Sequence, residues 1–198
     1  MHKLIALRSG AVAAALLAVL ALAAAPVRAQ DYLNRPITLI VPFPPGGSTT
    51  IVGRIIADKM SEVLGQSIVV DNRGGAGGTI GSRTVAKSAG DGYTILLGYT
   101  GTLAIGPSLY GNVGYDPRTD FEAVLRYGMV APAGTPRALI DKLNKALNQV
   151  LVSDEVRRRL AIDGAEPLPS TPDEYGIDID REEKLWGKVV KASGAKAE

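Results

Sequence analysis

The sequence contains no cysteine, and its only histidine is His2. Disulfides and a lipid-modified cysteine are therefore excluded, and an exported chain of this size must rely on its core. Removal of an N-terminal leader would also take away that histidine, which leaves no Ser-His-Asp triad, no cysteine nucleophile and no zinc site. This weighs against hydrolases as a class. There is a single tryptophan, and Trp186, at helical spacing, reads as a packing anchor and not as a ligand platform. Basic runs are missing too. The 22 Lys and Arg stand against 20 Asp and Glu, and loss of Lys3, Arg8 and Arg28 brings the mature chain close to neutral. Nucleic acid and anionic lipid are not expected as partners.

One apolar run is present. Lys3 and Arg8 precede residues 11–25, and Val27-Arg28-Ala29 places small residues at the spacing of a cleavage site. Residues 1–29 are thus expected to be a signal peptide cut after Ala29, because the run is shorter than the roughly 20 residues of a membrane span. The mature protein is expected not to be membrane-inserted. Its length suits one core, so a second domain is not expected within residues 30–198.

The chain is organised around residues 37–56. A short strand carrying Ile37, Leu39 and Val41 runs into Pro42-Phe43-Pro44-Pro45-Gly46-Gly47-Ser48-Thr49 and then a helix over 49–64. Proline cannot extend that helix and glycine opens the torsions of a tight loop, so Ser48 or Thr49 is expected to cap the helix. The helix start would face a small anion with unpaired amides. Gly65 ends the helix. A β-branched strand over 67–70 follows and suits burial on both faces of a parallel sheet. After the loop 73–78 come a helix over 79–87 and a strand over 93–97. Two consecutive strand, glycine loop, helix units predict an α/β layer fold. The loop 98–102 leads to a short helical segment over 103–110 and a polar turn over 114–120. Alternation of Phe121, Ala123, Leu125, Tyr127 and Met129 predicts one strand over 121–131. Thr135-Pro136 opens a helix to about Val152, Ser153 caps one over 154–162, and Thr171 with Glu174 has the spacing of a capping box opening a last helix to about Lys191.

Gly75, Gly77 and Gly81 depart from a dinucleotide fingerprint, and the next strand ends in Gly98-Tyr99 without the acidic residue that would hold a ribose. No phosphate loop or nucleophile elbow occurs. No cofactor and no metal are implied. The acidic cluster over 173–183 reads as a solvated helix face. What remains is two hydroxyl-and-glycine loops, 44–49 and 100–102, each after a strand of one sheet. Ligands of open α/β sheets sit at such strand ends. Neutral donors there bind a carboxylate and perform no chemistry on it, which is a receptor's profile and not an enzyme's.

Four motifs carry a resemblance: the segment 36–49, Asp71-Asn72-Arg73-Gly74-Gly75-Ala76-Gly77-Gly78, Asp91-Gly92-Tyr93-Thr94, and Val130-Ala131-Pro132-Ala133-Gly134-Thr135-Pro136. In order and linkage they resemble the Bug family of periplasmic receptors of tripartite tricarboxylate transporters. The resemblance implies an α/β lobe of type II periplasmic binding-protein fold with a parallel-rich sheet and flanking helices. It implies a small carboxylate ligand, a di- or tricarboxylate or an amino acid, and the transporter's membrane components as partners. The expected contacts are Pro44, Gly46, Gly47, Ser48, Thr49, Ala76, Gly77, Thr100, Gly101 and Thr102. The chain departs from the family where Leu125-Arg126 stands in place of most of a second lobe, where Thr50 replaces an aspartate, and where Gly106 replaces an asparagine. A deletion near 125–126 is expected to leave an open, weak site or a non-functional remnant, with apolar surface exposed around Leu125 and Met129. A protein-interaction module is the alternative reading.

Overall fold

The computed structural model describes residues 32–195 apart from residues 127 and 163. The leader and its cleavage site lie outside the described residues. From Leu33 onward the chain is one compact unit. Its centre is a five-stranded sheet in the order β2-β1-β3-β5-β4, with β1 Ile37–Val41, β2 Ile68–Asn72, β3 Thr94–Leu97, β4 Phe121–Leu125 and β5 Met129–Pro132. β1 pairs in parallel with both β2 and β3, whereas β5 runs antiparallel to β3 and β4. The fold is α/β with a mixed, mostly parallel sheet between two helical layers.

Period-two alternation divides the strands between those layers. Leu39, Val41, Ile95 and Leu97 face one core with Ile56 and Met60 of α1 (Ser48–Leu64), Leu143 and Leu147 of α4 (Arg137–Leu151), and Leu160 of α5 (Asp154–Ile162). Ile40, Leu96 and Val130 face the other with Val85 of α2 (Thr79–Ala86) and Tyr175 and Ile179 of α6 (Pro172–Ser193). A five-residue helix α3, Gly106–Tyr110, follows a π-helical turn at Gly101–Ile105.

Three expectations are corrected. β2 is the sheet's edge strand and is not buried on both faces: Val69 is 53% exposed. A β-branched run carries no record of which strand will cover its second side. The single strand expected over 121–131 is instead a hairpin, β4 to β5, in which Leu125 pairs with Met129 and the register shifts between Ala123 and Leu125. Gly128 makes the turn. Its φ is +93°, its amide donates to the Leu125 carbonyl at 3.1 Å, and its own carbonyl accepts from the Gly98 amide at 2.8 Å. A Cβ there would lie 2.0 Å from the Gly98 oxygen, so no other residue fits. The surface around Leu125 and Met129 is not exposed either: both are fully buried under the first core.

Candidate functional site

β1, β2 and β3 are adjacent and parallel, so the loops leaving their C-terminal ends emerge along one edge of the sheet. The first loop is fastened from below. Asn72 Nδ2 donates to the Phe43 carbonyl and to Thr50 Oγ1, both at 2.9 Å, and Thr50 Oγ1 donates to the Pro44 carbonyl at 3.4 Å. Above these contacts Pro44, Gly46, Gly47 and Ser48 are exposed and Thr49 is half-buried. The cap of α1 is Gly47, in extended conformation, and no side chain caps the helix; neither Ser48 nor Thr49 takes that role. The Gly47 carbonyl instead accepts from the amides of Thr50 and Ile51. Of the first turn, the amides of Ser48 and Thr49 lie outside those two bonds, at the positive end of a 17-residue helix.

The second loop places Ala76 and Gly77 at the surface beside the first. Gly78 is buried beneath them at φ +88°, and a Cβ there would lie 2.7 Å from Thr102 Cγ2. The third loop has one exposed and one hidden face. Thr102 is fully buried, and its hydroxyl donates to the Tyr99 carbonyl at 3.1 Å and accepts from the Tyr99 amide at 3.2 Å. It therefore supports the loop from below and stands apart from the other nine expected contacts. Thr100 and Gly101 are half-buried, and Thr100 Oγ1 lies 3.1 Å from Glu182 Oε2 on α6.

Tyr99 joins the three loops and was not singled out by the sequence. Its ring meets Phe43 edge-on at 4.9 Å between centroids, and its hydroxyl donates to the Gly77 carbonyl at 3.4 Å. Burial, with a smaller contribution from Tyr110, raises its pKa, so it stays a neutral donor. The available signal was an aromatic residue placed in a hydroxyl-and-glycine loop directly after a strand. Beneath it, Tyr115 donates to the Thr102 carbonyl at 2.7 Å, and burial pushes its phenol up to about 12.

Beside Thr100 a cleft of about 540 Å³ opens between the β3 exit, the β4–β5 turn and α6. Arg126, Glu166, Tyr175, Asp178, Arg181 and Glu182 are among its walls. Asp178, 7% exposed, pairs with Arg126 and, at 2.5 Å, with Arg181. Residues 44–49 stand outside this cleft, and Thr100 is the expected contact that also lines it. Among the described residues no three His, Asp or Glu side chains converge as a metal site would require.

Residues 52–127 match the family model described as "Tripartite tricarboxylate transporter family receptor". The chain carries a TctC-family domain. It is also a homologue of the Bug proteins: it is 45% identical over 129 residues to protein BugT of Bordetella pertussis, a match covering 64% of this chain and 40% of that protein. The chain thus spans about two fifths of the length of this relative. Among solved structures it resembles periplasmic binding protein BugD (TM-score 0.79, 23% identity, covering 84% of this chain and 100% of that one). It also resembles MatC from Rhodopseudomonas palustris with bound malate (TM-score 0.75, 20% identity, covering 79% and 99%). These likenesses establish the fold of a periplasmic binding protein.

Proposed function

We propose that the chain is a periplasmic solute-binding receptor for a small carboxylate, feeding a tripartite tricarboxylate transporter through that transporter's membrane components. The observation that carries this reading is the start of α1, which no side chain caps, with Gly46, Gly47 and Ser48 open to solvent at the C-terminal ends of the parallel strands. A carboxylate received there gains charge-assisted bonds from backbone amides and from the Ser48 and Thr49 hydroxyls, with Ala76, Gly77 and Gly101 forming the adjoining rim. It acts as a receptor and not as an enzyme, since these groups bind without supplying a base or a nucleophile. Export follows from cleavage after Ala29, and mass spectrometry of the exported protein is expected to find Gln30 as the first residue.

The second lobe of such a receptor is missing between β4 and β5. Direct pairing of Leu125 with Met129 supports this, because strand ends this close tolerate either a tight turn or a whole inserted domain. A single lobe leaves the bound anion beside water, where each contact is screened, so the dissociation constant is expected near millimolar, about −4 kcal/mol. Amide chemical-shift titration with a panel of di- and tricarboxylates and amino acids tests the reading. Saturable shifts at residues 46–49 are expected. Ser48→Ala should weaken binding by on the order of 1 kcal/mol, and an unchanged affinity would place the site elsewhere. Exposed Ile177, Leu185 and Val189 on α6 favour a protein-interaction module as the second reading, for which sedimentation with candidate partners is the test.

A further inference from the structure

Thr100 was expected to donate its hydroxyl to a ligand carboxylate, yet that hydroxyl already meets the carboxylate of Glu182 at 3.1 Å. The contact joins residues 82 positions apart and fixes α6 against the β3 exit loop. A ligand carboxylate arriving at Thr100 must either displace Glu182 or lie beside it. Two carboxylates in one site repel, and at contact distance screening by water reduces that repulsion without abolishing it. The adjoining cleft offers no relief. Its walls carry three carboxylates, Glu166, Asp178 and Glu182, against two guanidiniums, Arg126 and Arg181, each of which pairs with Asp178. The edge of the sheet is therefore divided by charge, with an amide-lined, anion-receiving end at residues 46–49 and an acidic end at Thr100.

We propose that Glu182 is a specificity-determining residue. By holding the Thr100 hydroxyl it converts this end of the site into an acceptor, so the chain favours carboxylates whose other end is an ammonium or a hydrogen-bond donor over those ending in a second carboxylate. The inference rests on the receptor reading above and names its substrate class as amino-carboxylates.

The test compares two four-carbon ligands, 4-aminobutanoate and succinate, by amide chemical-shift titration of the purified exported protein and of Glu182→Gln. Wild type is expected to bind 4-aminobutanoate about tenfold more tightly than succinate, which corresponds to about 1.4 kcal/mol. Glu182→Gln should abolish that ratio, chiefly by improving succinate, and Glu182→Lys should invert it, with circular dichroism verifying that each variant is folded. A wild type that prefers succinate, or a ratio unchanged in both folded variants, overturns the role of Glu182 while leaving the receptor reading intact. Wild type that binds neither ligand nor any other carboxylate refutes the receptor reading, and this proposal with it. Ser48→Ala separates the two, since it should weaken both ligands alike.

Discussion

Tyr99 shows how much of the site depends on one side chain. It is 40% exposed, yet its ring packs on Phe43 and its hydroxyl reaches Gly77, so the first and second loops are held together through the third. Truncation to alanine removes an aromatic contact and part of an apolar anchor. Tyr99→Ala is expected to lower stability by about 2 kcal/mol in urea titration, less than the cost of deleting a fully buried ring. Tyr99→Phe keeps the packing and loses only a long hydrogen bond, so its midpoint should lie within about 0.5 kcal/mol of wild type. The ten expected contacts divide at this scale as well. Nine were placed at or near the surface by their loops, whereas Thr102 turned inward because its hydroxyl could satisfy the Tyr99 backbone.

Among the elements, α6 and the β4–β5 hairpin illustrate opposite kinds of signal. The start of α6 was legible because a capping box is local: Glu174 accepts from the Thr171 amide at 2.8 Å, and the Glu174 amide donates to the Thr171 hydroxyl at 3.2 Å. Hydrogen bonds from the Thr171 amide and then its hydroxyl hold the Glu174 carboxyl below its ordinary 4.5. A lowered folded-state pKa means that the cap's contribution is present above about pH 4.5 and is lost as pH falls through the folded value. Thr171→Ala is therefore expected to cost about 1 kcal/mol at neutral pH, with the difference from wild type shrinking in acid melts. The hairpin was missed because the alternation of apolar residues passes straight through it. Gly128 was the signal, and only its approach to Gly98 reveals the need for it. Gly128→Ala combines an unfavourable φ with a clash against backbone, and is expected to cost at least about 3 kcal/mol or to leave no soluble protein.

For the whole molecule, the two cores on either side of the sheet close without help from another lobe. Leu125 and Met129, expected to be open, are covered by the helical layer of α4 and α5. On the one-lobe reading proposed above, there is no hinge about which the protein could shut on a ligand. Small-angle scattering of the exported protein should give a radius of gyration of about 15 Å that does not change when a carboxylate is added. A contraction on binding would reveal a second moving body and contradict the one-lobe reading.

The sequence by itself determined the order of strands and helices through β3, the glycine loops at the C-terminal edge of the parallel strands and the cap of the last helix. Each is written in neighbouring residues: proline and glycine torsions, apolar periodicity and the spacing of Thr171 and Glu174. Tertiary structure alone decided that β2 is an edge, that β4 and β5 are separate strands, and that Tyr99 gathers three loops. It alone brought Glu182 to Thr100. These outcomes depend on which surfaces meet across the fold, and contacts between residues distant in the chain leave no periodic or local trace.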